Sequence, residues 1–504
     1  MEASAVRRVS PAGPRDRTGI TGLDDVLAGG LPSHRLYLVK GEPGVGKTTL
    51  ALQFLLEGVR AGQRVLYITL SETETEIKQV AESHGWSLEG MDLYELSSAE
   101  QTLSLDDENT LYSTADVDLK ETMRVLLDEV ERVKPQRVVF DSLSEIRLLA
   151  NTPIRYRRQL LALKQHFAGR ACTVLLLDDR TGDATDLQVE SLAHGVILLE
   201  QRAVDYGADR RRLRIGKLRG SPFRSGYHDF TVLTGGLAVF PRLIAAEHRT
   251  DLLSEPMPSG IGELDALLGG GVDRSTATLL VGPAGTGKSA IATQFARAAA
   301  VRGESTNVFL FEERLGTLLR RAQQLGMPLD PMIEQGRVRL QQIDPAELAP
   351  DQFTQLVRDA VEKHGARLVI IDSINGYYNA MPEARYLTLQ MHELLAFLSE
   401  RGVATILTMA QSGMMGSQMS SPVDLSYLAD TIIMLRYFEA YGHIRKAVSV
   451  LKKRSGGHER AIRELELGAS GVHIGPPLQN MRGVLTGNPQ LLDESGGSAS
   501  REPG

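Results

Sequence analysis

The sequence has very few of the residues that build disulfides or zinc sites. It contains one cysteine, Cys172, in the apolar run ACTVLLL, and its eleven histidines are scattered along the chain. A single cysteine excludes an intramolecular disulfide and a cysteine-rich zinc site, so Cys172 is expected to be a buried core thiol. The motifs H-E-x-x-H and G-x-S-x-G are also absent, which argues against zinc-protease and nucleophile-elbow chemistry.

Long apolar runs and an excess of positive charge are missing as well. No stretch approaches the roughly 18 apolar residues of a membrane-spanning helix, and MEASAVRRVSPAGPRDR at the start lacks the apolar core of a signal peptide. We therefore expect a cytoplasmic protein that does not associate with membranes. The formal net charge of −7 argues against a surface covered in phosphate-binding residues, and so against nucleic acid as a partner.

The chain of 504 residues exceeds the size of one core, and it repeats itself at the scale of a domain. The segment TGITGLDDVLAGGL, from Thr18, returns as SGIGELDALLGGGV, from Ser259, at an offset of 241 residues. The same offset relates GEPGVGKT, from Gly41, to GPAGTGKS, from Gly282. One unit has therefore been duplicated. We predict a flexible N-terminus, a first domain, a linker, a second domain and a disordered tail at residues 1–14, 15–245, 246–255, 256–490 and 491–504.

Short apolar runs alternate with helix-like stretches within each unit. In the first unit RLYLVK leads into the glycine-rich loop, and RVLYITL, RVVFD and TVLLLD are further strand candidates. TLLV, NVFLF, RLVIID and ATILTMA repeat this order in the second unit. Strands that alternate with amphipathic helices predict the α/β class, with a mostly parallel sheet covered by helices on both faces in each domain.

The two glycine-rich segments match G-x-x-x-x-G-K-[ST], the P-loop that cradles nucleotide phosphates. Glycines let the backbone curl so that N–H groups point at phosphate oxygens, the lysine neutralises the β- and γ-phosphates, and the hydroxyl ligates Mg²⁺. The following helix adds its positive N-terminal dipole. The predicted nucleotide-binding residues are Gly41, Gly44, Val45, Gly46, Lys47, Thr48 and Thr49 in the first cradle, and Gly282, Gly285, Thr286, Gly287, Lys288, Ser289 and Ala290 in the second.

A magnesium-bound triphosphate needs a second anchor, normally an aspartate at the end of an apolar strand. Asp141 ends RVVFD and Asp372 ends RLVIID, 100 and 90 residues after the starts of their cradles. Each is followed by serine. With the hydroxyls of Thr48 and Ser289, these aspartates form two predicted Mg²⁺ sites.

Catalysis also needs a carboxylate that orients or deprotonates the attacking oxygen. Glu312 and Glu313 follow the strand NVFLF, at the edge where ligands collect in open sheets. Ser71 and Glu72 take the matching places in the first unit, which thus has one carboxylate fewer. We predict Glu72, Glu312 and Glu313 as catalytic residues; the alternative is that they are solvated side chains at strand ends.

Each unit carries a basic pair near its end, in KLRG and KKRS. Lys217 and Arg219 form the first pair, and Lys452 and Arg454 form the second. We predict that these side chains reach the γ-phosphate held by a neighbouring subunit, since a cation supplied from outside accelerates phosphoryl transfer strongly. The alternative is a solvated surface pair.

Taken together, the duplicated GI-x-x-LD opening, the two cradles, the EE pair, the strand-end Asp-Ser pairs and the K-x-R endings resemble the KaiC family of circadian-clock ATPases. The likeness covers about residues 15 to 490. It implies tandem RecA-like domains in a hexamer of two stacked rings, with ATP clamped between neighbouring subunits. It further implies a slow ATPase in the first ring, an autokinase in the second, and regulatory partners of the KaiB type.

The phosphoacceptor follows from the same resemblance. The family's segment ISTITDTIILL corresponds to LSYLADTIIML here, which places Ser426 at the serine acceptor and Tyr427 at the threonine acceptor. The resemblance implies a cycle in which both a serine and a threonine are phosphorylated. Because tyrosine replaces the threonine, one predicted phosphoacceptor is left here, Ser426. Ser71, where the family has a glutamate, bears on the hydrolysis rate of the first ring and not on its binding of ATP.

Two other functions remain open. A RecA-like core also serves nucleic-acid motors, and QSGMMGSQMSSP, residues 411–422, takes the place of a DNA-contacting loop. This segment lacks the basic and aromatic residues that such a loop uses. The second alternative is a signalling scaffold that ATP holds together with little turnover. We favour an ATPase and serine autokinase that uses ATP and Mg²⁺ in signalling or clock-type regulation.

Overall fold

The structure is a computed structural model that describes residues 13–96, 114–179, 185–204, 206–245, 255–379, 384–411, 427–479, 481–485 and 489–491. The chain divides into two compact units, residues 1–242 and 243–504. Within the described ranges, each unit builds a sheet of nine strands. Ser426 lies outside the described residues, as do most of the predicted linker and tail.

In the first unit, helices are interspersed among the strands up to the last four strands, which follow one another. Its strands are β1 (Arg15–Asp16), β2 (Leu31–Pro32), β3 (Leu36–Gly41), β4 (Val65–Thr69), β5 (Met91–Glu95), β6 (Arg137–Asp141), β7 (Thr173–Asp179), β8 (Gly195–Arg202), β9 (Arg210–Leu218), β10 (His228–Leu233) and β11 (Gly236–Phe240). Its helices are α1 (Leu23–Val26), α2 (Lys47–Arg60), α3 (Glu74–Ser83), α4 (Thr114–Val133), α5 (Leu143–Ala150), α6 (Pro153–Phe167) and α7 (Thr185–Leu192). The sheet order is β11-β10-β9-β8-β3-β7-β6-β4-β5, parallel from β8 to β5 and antiparallel from β8 to β11.

The second unit repeats this plan. Its strands are β12 (Pro256–Met257), β13 (Val272–Asp273), β14 (Ala277–Gly282), β15 (Ser305–Leu310), β16 (Val338–Gln342), β17 (Ala366–Asp372), β18 (Ala404–Ala410), β19 (Thr431–Ala440), β20 (His443–Lys453), β21 (Arg463–Gly468), β22 (Gly471–Pro477), β23 (Met481–Arg482) and β24 (Gln490–Leu491). Its helices are α8 (Gly262–Leu267), α9 (Lys288–Val301), α10 (Leu315–Gln324), α11 (Asp330–Glu334), α12 (Pro350–Glu362), α13 (Ile374–Asn379) and α14 (Ala384–Glu400). The sheet order is β16-β15-β17-β18-β14-β19-β20-β21-β22.

The central strand beside the cradle in each sheet is buried on both faces, as the apolar runs predict. All six residues of β3 are buried. Tyr37 and Val39 pack in one apolar cluster, whereas Leu36 and Leu38 pack in another on the opposite face, as the alternation of side chains along a strand requires. The prediction of a mostly parallel sheet between two helical layers is therefore confirmed.

The strand order brings distant parts of the sequence together at the carboxyl ends of the parallel strands, which form one edge of the sheet. Strand β3 lies between β8 and β7, and Gly41 at its end pairs with Asp179. Thr69 and Asp141 pair at the ends of β4 and β6. Because ligands of open α/β sheets bind beyond the carboxyl ends of the strands, this edge is the candidate site.

Two simpler expectations can also be checked. Cys172 is a free, buried thiol, and burial raises its pKa to about 12. Of the helices in the described ranges, none is both long and apolar enough to cross a membrane.

Candidate nucleotide sites

The first cradle is a tight loop between β3 and α2. Gly44 and Gly46 have φ angles of 77° and 110°, in the left-handed region that favours glycine. Lys47 is buried, and its Nζ donates to the carbonyl oxygens of Gly41 and Glu42 at 3.0 and 2.9 Å. The lysine is thereby held under the loop, at the start of α2.

An aspartate network lies directly beside this lysine. The Thr48 hydroxyl donates to Asp141 Oδ2 at 2.9 Å, and the Tyr67 hydroxyl donates to the same oxygen. Burial raises the pKa of Asp141, against the effect of these two hydrogen bonds. A hydroxyl in contact with a strand-end carboxylate suits Mg²⁺, which takes one or two protein ligands and completes its shell with phosphate and water oxygens. Within the described ranges, no cluster of three or more His, Cys, Asp or Glu side chains could hold a metal ion by itself.

The second cradle has the same backbone. Gly285 and Gly287 have φ angles of 78° and 111°. Lys288 Nζ donates to the carbonyl oxygens of Gly282 and Pro283 at 2.8 and 2.7 Å, and the buried Thr286 hydroxyl also donates to Pro283 at 2.8 Å. Burial lowers the pKa of Lys288 to about 8, against the attraction of Asp372 and Glu312.

The aspartate of the second site is anchored differently. Asp372 accepts from the hydroxyl of Thr408 on β18, and it lines a cavity of about 10 Å³ together with Ser289 and Val308. Val308 takes the place of Tyr67, so the phenol that donates to Asp141 has no counterpart at this position. Ser289 and Asp372, the two predicted oxygen ligands, thus border one small cavity whose lining is otherwise mainly apolar.

Three residues of the two P-loop segments have buried side chains that point away from the phosphate side. Val45 and Ala290 belong to the apolar cores, and the buried Thr49 hydroxyl lies 3.4 Å from His84 Nε2. Their contribution to a phosphate site is therefore limited to their backbone N–H groups.

The predicted catalytic carboxylates differ in their surroundings. Glu72 is partly buried, its Oε2 has no hydrogen-bond partner, and burial followed by repulsion from Asp141 raises its pKa. Glu313, its counterpart, accepts from Arg321 Nη1 at 2.7 Å, and burial raises its pKa although Arg321 opposes this. Glu312 is exposed. The second site therefore has one arginine-bound carboxylate and one exposed carboxylate.

The structure adds a residue that the sequence did not single out. Asp179 ends β7, and its Oδ1 lies 2.8 Å from Lys47 Nζ while its Oδ2 accepts from Ser144 at 2.9 Å. Burial raises the pKa of Asp179, but the hydrogen bonds from Lys47 and Ser144 outweigh it and lower the pKa overall. An alignment of TVLLLDD with ATILTMA, the matching strand of the second unit, would have revealed the carboxylate, because it places Asp179 opposite Ala410.

The basic pairs lie far from the cradles of their own units. The backbone of Arg219 bonds to His194, which bonds to Leu36 at the start of β3, whereas the cradle begins at the end of that strand. Lys217 donates to the carbonyl of Glu190 at 2.6 Å and Arg219 to that of Ser191 at 3.0 Å.

The second pair lies in the equivalent position. Lys452 donates to the carbonyl of Ala429 at 2.7 Å, and Arg454 Nη1 lies 3.4 Å from Asp430. The backbone of Arg454 bonds to Asp430, which bonds to Ala277 at the start of β14. In both units, therefore, the cradle lies at the carboxyl ends of the parallel strands and the basic pair lies at their amino ends, on the opposite side of the sheet.

The fold and these two sites define a protein with tandem RecA-like P-loop ATPase domains. The sequence model of the KaiC ATPases matches residues 17–244 and again 257–479. The chain belongs to the KaiC ATPase family.

Curated relatives extend over almost the whole chain. A circadian clock protein KaiC3 from Synechocystis is 27% identical over 95% of this chain and 95% of its own length. Circadian clock oscillator proteins KaiC from Parathermosynechococcus lividus and Synechococcus elongatus are 27% and 26% identical, over 95% and 94% of this chain and 89% and 92% of their own lengths. The resemblance seen in the motifs is thus confirmed across both domains.

Proposed function

We propose that this protein binds Mg-ATP in both cradles, hydrolyses it, and autophosphorylates on Ser426 within a hexameric double ring that acts in signalling or clock-type regulation. The observation that carries the proposal is the separation of each basic pair from its own cradle. A cation at the opposite edge of the sheet can act on a γ-phosphate only in a neighbouring subunit. The curated relatives bear clock names, which supports the regulatory role. Partners of the KaiB type are part of this proposal.

The chain's own residues would perform most of the binding. Lys47 and Lys288 are pre-positioned under their loops and would transfer hydrogen bonds from backbone carbonyls to phosphate oxygens. Thr48 with Asp141, and Ser289 with Asp372, would hold Mg²⁺, which when bound neutralises charge on the phosphates. The N–H groups at the starts of α2 and α9 complete each phosphate site.

The carboxylates suggest a division of labour. Glu72 is the candidate base of the first site, since its raised pKa and unpartnered oxygen suit proton abstraction. In the second site Arg321 restrains Glu313, which leaves Glu312 free to accept a proton from an incoming hydroxyl. The first domain would then mainly hydrolyse ATP and support assembly, and the second would transfer the phosphoryl group.

The surroundings of the predicted acceptor support transfer between subunits. Tyr427, the residue after Ser426, is 53% exposed, and its carbonyl accepts from Arg454 Nη2 at 3.0 Å. Tyr427 is therefore fixed to the basic pair, at the edge opposite the cradle of its own chain. We infer that an acceptor next to Tyr427 in sequence receives its phosphoryl group from the ATP of a neighbouring subunit.

Phosphopeptide mapping tests this function directly. Wild type, Ser426→Ala and Tyr427→Phe would be incubated with Mg-ATP, and native mass would be measured with and without nucleotide. We expect ATP-dependent hexamers, and label that is lost in Ser426→Ala but kept in Tyr427→Phe. ATPase activity that single-stranded DNA stimulates, without label, would instead indicate a motor; ATP-dependent assembly with neither label nor turnover would indicate a scaffold.

A further inference from the structure

The ammonium group of Lys47 has all of its donors occupied. A lysine carries three N–H donors. In the first cradle two of them go to the carbonyls of Gly41 and Glu42, and Asp179 Oδ1 lies 2.8 Å from the same nitrogen. Asp179 is itself oriented by Ser144, which donates to its second oxygen. The carboxylate thus occupies the position from which Lys47 would otherwise meet a phosphate.

The second cradle lacks this carboxylate although the backbone is the same. Ala410 pairs with Gly282 just as Asp179 pairs with Gly41. Asn375, in the place of Ser144, bonds to both the N–H and the carbonyl of Ala410. Within the described part of the chain, no carboxylate lies within salt-bridge distance of Lys288. Its ammonium therefore keeps a donor available for phosphate.

We propose that Asp179 competes with the γ-phosphate for Lys47 and thereby weakens the first cradle's preference for ATP over ADP. This inference rests on the proposed binding of Mg-ATP in that cradle. The γ-phosphate of a triphosphate would lie close to the Asp179 carboxylate. Its binding would break the ion pair between Asp179 and Lys47, and the carboxylate would then repel the phosphate. A diphosphate lacks that group and leaves the ion pair less disturbed.

Reciprocal substitutions separate this effect from general electrostatics. Asp179→Asn would be made in a Lys288→Ala background, so that only the first cradle is read. Ala410→Asp would be made in a Lys47→Ala background and introduces the carboxylate into the second cradle. The matched control is Glu42→Gln, since Glu42 is an exposed carboxylate on the same loop whose side chain does not contact Lys47.

The measurement is displacement of a fluorescent adenine nucleotide by a non-hydrolysable ATP analogue or by ADP, each with Mg²⁺. We expect Asp179→Asn to tighten the triphosphate about tenfold and ADP less than about threefold, while Ala410→Asp weakens the triphosphate selectively. Glu42→Gln should shift both nucleotides by similar, smaller factors. Ala410→Asp keeps the test valid if Asp179→Asn fails to fold.

Several results would overturn the inference. The ratio of triphosphate to diphosphate affinity could be unchanged in Asp179→Asn, or could change by the same factor as in the control Glu42→Gln. Either result would show that Asp179 does not compete with the γ-phosphate for Lys47. Weaker triphosphate binding in Asp179→Asn would make Asp179 a ligand of metal or water instead. If the first cradle with Asp179 intact bound neither nucleotide, the proposed function itself would fail.

Discussion

The two cradles have nearly identical backbones, but the surroundings of their lysines differ. Lys47 is paired with Asp179, whereas burial without such a partner lowers the pKa of Lys288 to about 8. The anchoring aspartates differ too, since Asp141 is held by Thr48 and Tyr67 and Asp372 by Thr408. Glycine positions are fixed by the curl of the loop, but the side chains around it are free to change. Duplication therefore kept the backbone of the P-loop and altered the charged side chains beside its lysine.

The largest effects are expected from removing the lysines one at a time. Lys47→Ala and Lys288→Ala should each weaken nucleotide binding in their own pocket by roughly 100-fold or more, because a charge-assisted contact is lost. Lys288→Ala should abolish phosphate incorporation, and Lys47→Ala should chiefly weaken assembly. Nucleotide retention, phosphate label and native mass would be measured together. Identical phenotypes would contradict a division of labour between the pockets.

The next largest effect concerns the carboxylates. Glu72→Gln should lower hydrolysis in the first pocket by on the order of 100-fold, since general-base catalysis contributes that much. In the second pocket Glu312→Gln should reduce phosphoryl transfer more than Glu313→Gln, because Arg321 already occupies Glu313. Single-turnover rates with pre-bound ATP would be compared, with Arg321→Met as the control that frees Glu313. A greater loss in Glu313→Gln would reverse the assignment.

A pH titration sharpens the contrast between the lysines. In the nucleotide-free protein, Lys288 has a pKa of about 8 and therefore loses its proton above that pH. A bound phosphate favours the charged form of the lysine, so the proton is retained when nucleotide is bound. The dissociation constant of Mg-ATP in the second pocket should therefore rise above about pH 8, toward a limit of tenfold per pH unit. Affinity would be measured in a Lys47→Ala background. Lys288→Arg stays charged and should give a flat profile; a flat profile with lysine would refute the prediction.

The smallest effect comes from the aspartate anchors. Tyr67→Phe removes one hydrogen bond to Asp141 and should lower the local free energy of unfolding by about 1 kcal/mol. Thr408→Val is the matched change at Asp372. Hydrogen exchange of the amides in β6 and β17 would report each anchor separately. If either variant lowered the local free energy of unfolding equally in β6 and β17, the two hydrogen-bonded aspartates would not stabilise their strands locally.

The sequence predicts the fold and the loop residues because their patterns are local. The offset of 241 residues aligns both cradles, and apolar runs ending in aspartate identify Asp141 and Asp372. An alignment of the two strands reveals the carboxylate of Asp179 but not its partner, because the contact with Lys47 depends on the adjacency of β3 and β7, which no local pattern specifies. Arg321 was missed for a related reason, since its counterpart in the first unit, Val80, removes the repeat that would have marked it. The three antiparallel strands at one end of each sheet likewise follow only from strand order.

The placement of the basic pairs also bears on how copies of the chain would join. When Lys217 and Arg219 of one copy complete the cradle of the next, the contact is head-to-tail. An open row of such contacts leaves one incomplete pocket at one end and one unused pair at the other, whereas a closed circle leaves neither. Nucleotide that binds best to a complete pocket then favours closure by mass action, so ATP and subunit concentration become linked variables.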